Sequence, residues 1–172
     1  MSAEITSINY CPVKSVSFQS IEKCKIKKNI GIIGDRIFAF AKDLDLEQAK
    51  LFEKSADERK GKWNKVLTLK NSPALNKYNF IFNDEKLTLT FKDQEILTID
   101  INKLNEREVL SHKISELESS LKQPIVLMKN HELPFFDTSI SKKVDFVNSV
   151  SLLNIQSIND FAKKLNKKIE AS

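Results

Sequence analysis

The fold is decided by two short stretches near the start of the chain, Asn9-Tyr10-Cys11-Pro12-Val13-Lys14-Ser15 and Ile33-Gly34-Asp35-Arg36-Ile37-Phe38-Ala39-Phe40. The first follows the alternating pattern of a β-strand, and Pro12 ends ladder pairing because proline has no N–H to donate. In the second, Gly34 permits a positive φ or a close approach to a ligand, and an apolar strand follows Arg36. The two stretches therefore predict that a lysine, a hydroxyl and a guanidinium meet at one rim of a sheet.

Lys14, Ser15 and Arg36 are the candidate binding residues. Arginine offers a planar fork of donors, lysine a mobile point charge and serine a short donor, and such a set suits a phosphate. The alternative interpretation is that Lys14 and Arg36 are solvated charges at strand ends, and that Asp35 and Arg36 form a surface pair worth little free energy. The residue types alone leave both interpretations open.

The order and spacing of these motifs resemble the N-terminal β-barrel region of MOSC proteins. The matching segments are Pro12-Val13-Lys14-Ser15, the stretch from Ser20 to Ile26, and Gly31-Ile32-Ile33-Gly34-Asp35-Arg36 before an apolar strand. This is the molybdenum cofactor sulfurase C-terminal domain family, which includes the amidoxime-reducing components. Cys11 stands where the family usually has an aromatic residue. Near the other end, Ser149 to Ile158 is similar to the family's strand-turn-helix entry into the MOSC core.

The resemblance implies a molybdenum cofactor (molybdopterin) whose phosphate is held by Lys14, Ser15 and Arg36, with Ser149 and Asn154 at a turn that faces the same cleft. It further implies an oxidoreductase or sulfur-carrier protein with an electron-transfer partner protein or domain. The family's Thr-Gln-Arg-like strand, its Phe-Arg-Pro-Asn-like strand and its molybdenum-coordinating cysteine have no counterpart in this sequence. We therefore expect the first portion of a MOSC protein, without metal ligands and inactive alone. Its expected parts are a β-barrel-like domain over residues 1–121 and the start of the MOSC core over 122–172.

Two alternatives from other classes stay open, a non-catalytic β-rich binding module for an acidic small molecule or protein and a purely structural interaction domain. The formal net charge of +5 favours acidic ligands. Because no basic run is interleaved with aromatic residues, we expect no nucleic-acid binding. No apolar run approaches the roughly 20 residues of a membrane helix. Two cysteines and no leader-like N-terminus predict a cytoplasmic protein without membrane attachment.

The expected fold class is α+β, mainly β. Strands are predicted at 4–10, 20–27 and 36–41, and short connections should make them antiparallel neighbours in a barrel-like sheet. Cys24, in the second strand, is expected to be a small core residue. The charged residues 43–63 predict a surface loop with a few helical turns. Trp63 is expected to anchor the core, with a stacking platform as the alternative.

The later elements have clearer patterns. A strand at 66–69 and a turn at 73–75 should close the first sheet, and a β-meander is predicted over 78–100 with polar turns at 83–85 and 92–94. Next come an amphipathic helix over 105–121 capped by Asn105, a buried strand over 123–128, a loop over 131–143, a strand over 149–153 and a final helix to about 166. His112 and His131 have no partners at metal-ligand spacing, so we expect neither a metal site nor histidine catalysis.

Overall fold

The structure is a computed structural model that describes residues 4–28, 30–121, 124–132, 134–135 and 153–166. The strands are β1 (Ile8–Tyr10), β2 (Gln19–Ile21), β3 (Ile26–Lys27), β4 (Gly31–Ile32), β5 (Phe38–Lys42), β6 (Tyr78–Asn83), β7 (Lys86–Phe91), β8 (Gln94–Asp100) and β9 (Ile125–Lys129). The helices are α1 (Leu46–Lys54), α2 (Ala56–Arg59), α3 (Leu104–Leu117) and α4 (Ile155–Leu165), with short 3₁₀ turns at Trp63–Lys65 and Pro73–Lys77. The mixed, mainly β class agrees with the sequence prediction.

The described strands form four small antiparallel sheets, β1-β2, β3-β4, β5-β9 and β6-β7-β8. The predicted pairing of the first two strands is confirmed for Ile8–Tyr10 with Gln19–Ile21. The predicted strand over 20–27 is divided between β2 and β3, and the first strand begins at Ile8 instead of Glu4. These sheets do not join into a closed barrel within the ranges that the structure describes.

Strand β5 separates two hydrophobic clusters because its side chains alternate in size and direction. Phe38 and Phe40 lie in the larger cluster with the β-meander, whereas Ala39 and Ala41 lie in a smaller cluster with Phe52 of α1. All four β5 residues are at most 1% exposed. The two alanines leave room for a helix to pack closely on that face, so β5 is covered on both sides.

The prediction of which strand pairs with β5 was wrong. We expected the strand over 20–27 beside it, but β5 pairs with β9 in full register, from Phe38 opposite Lys129 to Lys42 opposite Ile125. Its other edge carries a parallel bridge to Val13 and an antiparallel bridge from Ala41 to Val66. A strand buried on both faces gains most from a partner that is equally apolar, and β9 has three buried apolar residues. The polar 20–27 stretch offers no such surface.

Residues 43–63 are more regular than the predicted surface loop. Helix α1 is capped by Asp45, whose Oδ1 accepts a hydrogen bond of 2.7 Å from Gln48 N, and it buries Ala49 and Phe52. Trp63 packs against the smaller cluster, which confirms its predicted contact with the core. The predicted strand over 66–69 contributes only the bridge at Val66.

The β-meander over 78–100 is confirmed, and both of its turns have the geometry that tight hairpins need. Asp84, Glu85, Lys92 and Asp93 all have φ values between 47° and 62°. Positive φ at both central residues is typical of the mirror-image turns that match strand twist. The polar turn residues recognised in the sequence therefore fix this sheet locally.

The helices differ from prediction at their ends. Helix α3 begins at Leu104, so the predicted cap Asn105 lies inside it, and Lys103 occupies the cap position without a side-chain hydrogen bond.

The predicted strand over 149–153 falls almost wholly outside the described residues, as does most of the loop over 131–143. Within the part of the chain that the structure describes, no helix is long and apolar enough to cross a membrane.

Candidate anion-binding site

Residues 11–15 and 34–36 form two adjoining loops, called here the loop pair. Arg36 N donates to Cys11 O at 2.6 Å, Phe38 N donates to Pro12 O at 3.0 Å, and Lys14 N donates to Phe38 O at 2.8 Å. These bonds continue the parallel bridge between Val13 and Phe38. The backbones of Lys14, Ser15 and Arg36 thus lie at the same rim of β5, and the predicted meeting of their side chains around a ligand stays a prediction.

Asp35 connects the loops electrostatically. Its Oδ1 accepts a hydrogen bond of 2.9 Å from Cys11 N, and its Oδ2 lies 3.3 Å from Arg36 Nη1. Burial raises the pKa of Asp35, while the Cys11 hydrogen bond and the charges of Arg36 and Lys14 act in the opposite direction. Both cations therefore act on one carboxylate.

The loop pair has an unusual backbone. Ser15 has φ 58° and Arg36 has φ 51°, so two residues other than glycine occupy the left-handed region. This conformation costs an L-residue roughly 1–2 kcal/mol and persists only where the surroundings hold it. One such restraint is visible at Arg36, whose carbonyl oxygen accepts a hydrogen bond of 2.8 Å from Phe135 N.

The two cations of the loop pair differ in access to solvent. The alternative interpretation of Lys14 as a solvated charge does not match the structure, because Lys14 is 3% exposed and its Nζ lies 5.4 Å from the centroid of the Trp63 ring. The Arg36 side chain is 33% exposed, and Ser15 is half-buried. Lys14 is thus enclosed behind the rim, whereas the Arg36 guanidinium reaches the surface.

Asn154 and Ser149 are the other two predicted site residues. The Asn154 side chain caps α4 by accepting a hydrogen bond of 3.2 Å from Ser157 N, and its place in a cofactor cleft stays a prediction. Ser149 lies outside the described residues. A cleft of about 510 Å³ lies between α1, α3 and β9, and no residue of the loop pair lines it.

The two cysteines differ in their burial. Cys11 is buried, its Sγ donates to Val13 O at 2.8 Å, and burial raises the pKa of the thiol, so Cys11 is protonated at neutral pH. Cys24 is half-buried instead of fully enclosed. Across the described ranges, no three His, Cys, Asp or Glu side chains come together as a group that could hold a metal ion.

Two contributors to the site were missed by sequence reasoning, the Phe135 amide that holds Arg36 and the Trp63 ring beneath Lys14. Both are far from the loop pair along the chain, and only the tryptophan's uniqueness could have drawn attention to it. Comparison of the chain with family models, curated proteins and solved structures found no match.

Proposed function

We propose that this chain holds the phosphate of a molybdopterin-type cofactor at the loop pair. The observation that carries the proposal is a lysine that is 3% exposed in a loop hydrogen-bonded to the one that presents Arg36. Burying an ammonium group costs free energy unless negative charge lies nearby. Asp35 supplies one such charge, and a bound phosphate would supply further negative charge beside the two cations.

The three residues take different parts in this proposal. Arg36 presents a fork of N–H donors to two phosphate oxygens, and the half-buried Ser15 hydroxyl donates a third hydrogen bond. Lys14 contributes charge from behind the rim. When bound, the cofactor would supply the redox chemistry of the family, and this chain's residues would hold and orient its phosphate.

The donor set fits the phosphate end of the cofactor better than its metal end. Cys11 is a protonated thiol that donates a hydrogen bond to a carbonyl oxygen, whereas a soft metal ligand must be a thiolate. We therefore propose cofactor binding for this chain, and negligible reductase activity for residues 1–172 by themselves. Turnover of a reductase substrate by the purified, cofactor-loaded chain would contradict this.

The finer implications of the resemblance belong to the same proposal. They are a barrel-like arrangement over 1–121, the start of a MOSC core over 122–172, a cytoplasmic location, an electron-transfer partner and a second contact to the cofactor from Ser149 and Asn154. What supports them is the order of the sequence motifs. Strand β9 lies after the proposed boundary and pairs with β5, which lies before it, so the two proposed parts share a sheet.

The test is a titration of molybdopterin and of inorganic phosphate, followed by the fluorescence of Trp63, the chain's single tryptophan. A charged hydrogen bond is worth about 1.5–3 kcal/mol, so Arg36→Ala should weaken binding roughly tenfold or more. Arg36→Lys should recover only part of the affinity, because it keeps the charge but loses the fork. Both variants place an L-residue at the same positive φ, so the backbone strain is the same in the two variants.

The control is Lys70→Ala, which removes an exposed lysine from a turn and should leave the affinity unchanged. Equal affinities for wild type, Lys14→Ala and Arg36→Ala would remove the loop pair from the binding site. Binding of phosphate without binding of the pterin would favour the alternative, a non-catalytic module for an acidic small molecule.

A further inference from the structure

A buried guanidinium lies behind the loop pair. Arg59, the last residue of α2, is 2% exposed. Its Nε donates to Phe52 O at 2.6 Å, and its Nη1 donates to Pro134 O at 3.2 Å. Burial lowers the pKa of Arg59 to about 10, and the Glu53 charge opposes this shift. The side chain is therefore cationic at neutral pH.

Arg59 joins two distant segments of the chain, the last turn of α1 and residues 134–135. The carbonyl groups of a last helical turn carry partial negative charge, so the Phe52 carbonyl suits a cation. On the second segment, the guanidinium carbon lies 4.1 Å from the centroid of the Phe135 ring. Hydrogen bonding and ring contact together fix both the backbone and the side chain of this segment.

Phe135 in turn contacts the loop pair. Its N–H donates the 2.8 Å hydrogen bond to the carbonyl oxygen of Arg36, the residue that has a positive φ. Its ring is fully buried in the smaller cluster, against which Trp63 packs, and Trp63 lies beneath Lys14. A continuous set of contacts thus runs from Arg59 through Phe135 to the backbone of Arg36, with Trp63 and Lys14 beside it.

Simple packing would not require a charged residue at position 59. An apolar side chain of similar volume fills a buried site at lower desolvation cost, and exchanging buried charges for such residues is often neutral or stabilising. Unlike an apolar side chain, the guanidinium forms directional hydrogen bonds, and its planar donors hold two carbonyl groups at set angles. The free-energy cost of burying the Arg59 guanidinium is explained if the anion site at the loop pair depends on the position of residues 134–135.

We propose that Arg59 is a positioning residue for the anion site, acting through Phe135 on the backbone of Arg36. The inference rests on the proposed function, because it assigns Arg59 a part in holding the same phosphate. Arg59 itself does not reach the ligand. It keeps the Arg36 guanidinium aimed at the rim by restraining the peptide that precedes β5.

The experiment compares Arg59→Met and Arg59→Lys with wild type in the full chain. We expect Arg59→Met to weaken phosphate and molybdopterin binding about fivefold to tenfold, and Arg59→Lys to recover part of the loss. We also expect faster hydrogen exchange of the Phe135 amide in Arg59→Met, with unchanged exchange for the amides of the β5-β9 ladder. A purely structural role would lower overall stability without this local pattern.

The matched control is Arg107→Met, since the Arg107 side chain is also largely buried and pairs with Glu53 of α1 at 2.5 Å. It should reduce the melting temperature and leave the affinity unchanged. If Arg59→Met does not fold, Phe135→Leu and Arg59→Lys carry the test, and each should weaken binding at least threefold. Unchanged affinity in the folded variants would overturn the inference.

The Arg36→Ala variant separates the two proposals. If Arg36→Ala weakens binding and the Arg59 variants do not, the anion site stands and the role of Arg59 is refuted. If Arg36→Ala has no effect, the proposed function fails and the inference about Arg59 fails with it.

Discussion

Substitution of Gly34 by alanine tests whether the loop pair is held against Tyr10. Gly34 has φ +95°, and a Cβ added there would lie 3.1 Å from Tyr10 Cε2. The ring has little freedom to retreat, because Tyr10 is 7% exposed and its hydroxyl lies 3.1 Å from Gln19 Oε1 and 3.2 Å from Phe82 O. The new methyl group would therefore push against a ring that is fixed at its far end.

Two contributions set the size of the effect. Placing an L-residue in the left-handed region costs roughly 1–2 kcal/mol, and inserting a methyl group into a well-packed region costs about 1–3 kcal/mol more. Gly31 provides the matched control, since it has φ +86° and no atom within 4 Å of its added Cβ. Gly31→Ala should lower the unfolding free energy by the backbone contribution alone, whereas Gly34→Ala should lower it by about 2–5 kcal/mol in total.

Urea denaturation at 25 °C, followed by Trp63 fluorescence, measures both variants. The informative quantity is the difference between the two losses of unfolding free energy, which isolates the Tyr10 contact from the shared backbone strain. If Gly31→Ala and Gly34→Ala destabilise the protein equally, the close approach of Gly34 to Tyr10 does not constrain the loop.

Three further predictions concern groups around the same core. Cys24 should react with a thiol reagent well before Cys11 in the native protein, and both should react at once in denaturant, because Cys11 is buried with a raised pKa. Since burial raises the pKa of Asp35, its contribution to stability is fully present below the ordinary aspartate pKa and is lost as pH rises through the raised one. The unfolding free energy of wild type minus that of Asp35→Asn should therefore fall with pH across that window, and a flat difference would contradict the shift. Glu53→Gln should destabilise the fold by about 2–3 kcal/mol, because Glu53 Oε1 accepts from Arg107 at 2.5 Å and from Lys129 N at 2.7 Å. Urea melts that coincide with wild type would show that this pair contributes nothing.

The local parts of the fold were predictable from the sequence. The meander over 78–100 and its turns at Asp84-Glu85 and Lys92-Asp93 follow from alternating patterns and turn residues that lie next to one another in the chain. Helix α3 was recognisable from its apolar spacing, although its first residue was misplaced because Asn105 has the chemistry of a cap without the position of one. Adjacent residues determine these features, so a sequence pattern contains the necessary information.

The long-range parts were not predictable for the same reason. Nothing near β5 indicates that β9 will replace the neighbouring strand as its partner, since that choice depends on the burial of both faces. Arg59 lies in a run of charged residues that reads as a solvated surface, and composition does not show which of those side chains turns inward. For the candidate site, the motif residues identified the loops, but the burial of Lys14 required the fold.

The pairing of β5 with β9 also determines when the loop pair can form. The hairpins of the meander close over a few residues, whereas Phe38 and Lys129 are about 90 residues apart, and contacts of such separation form late because a long loop must first be closed. Asn130 N and Phe135 N donate to Ile37 O and Arg36 O, so the rim is completed only when this part of the chain is present. During synthesis, the edge of β5 that pairs with β9 therefore remains unpaired until β9 has been made. A nascent chain of this length is at its most aggregation-prone in that interval, and shielding by a chaperone would matter more then than at any later stage.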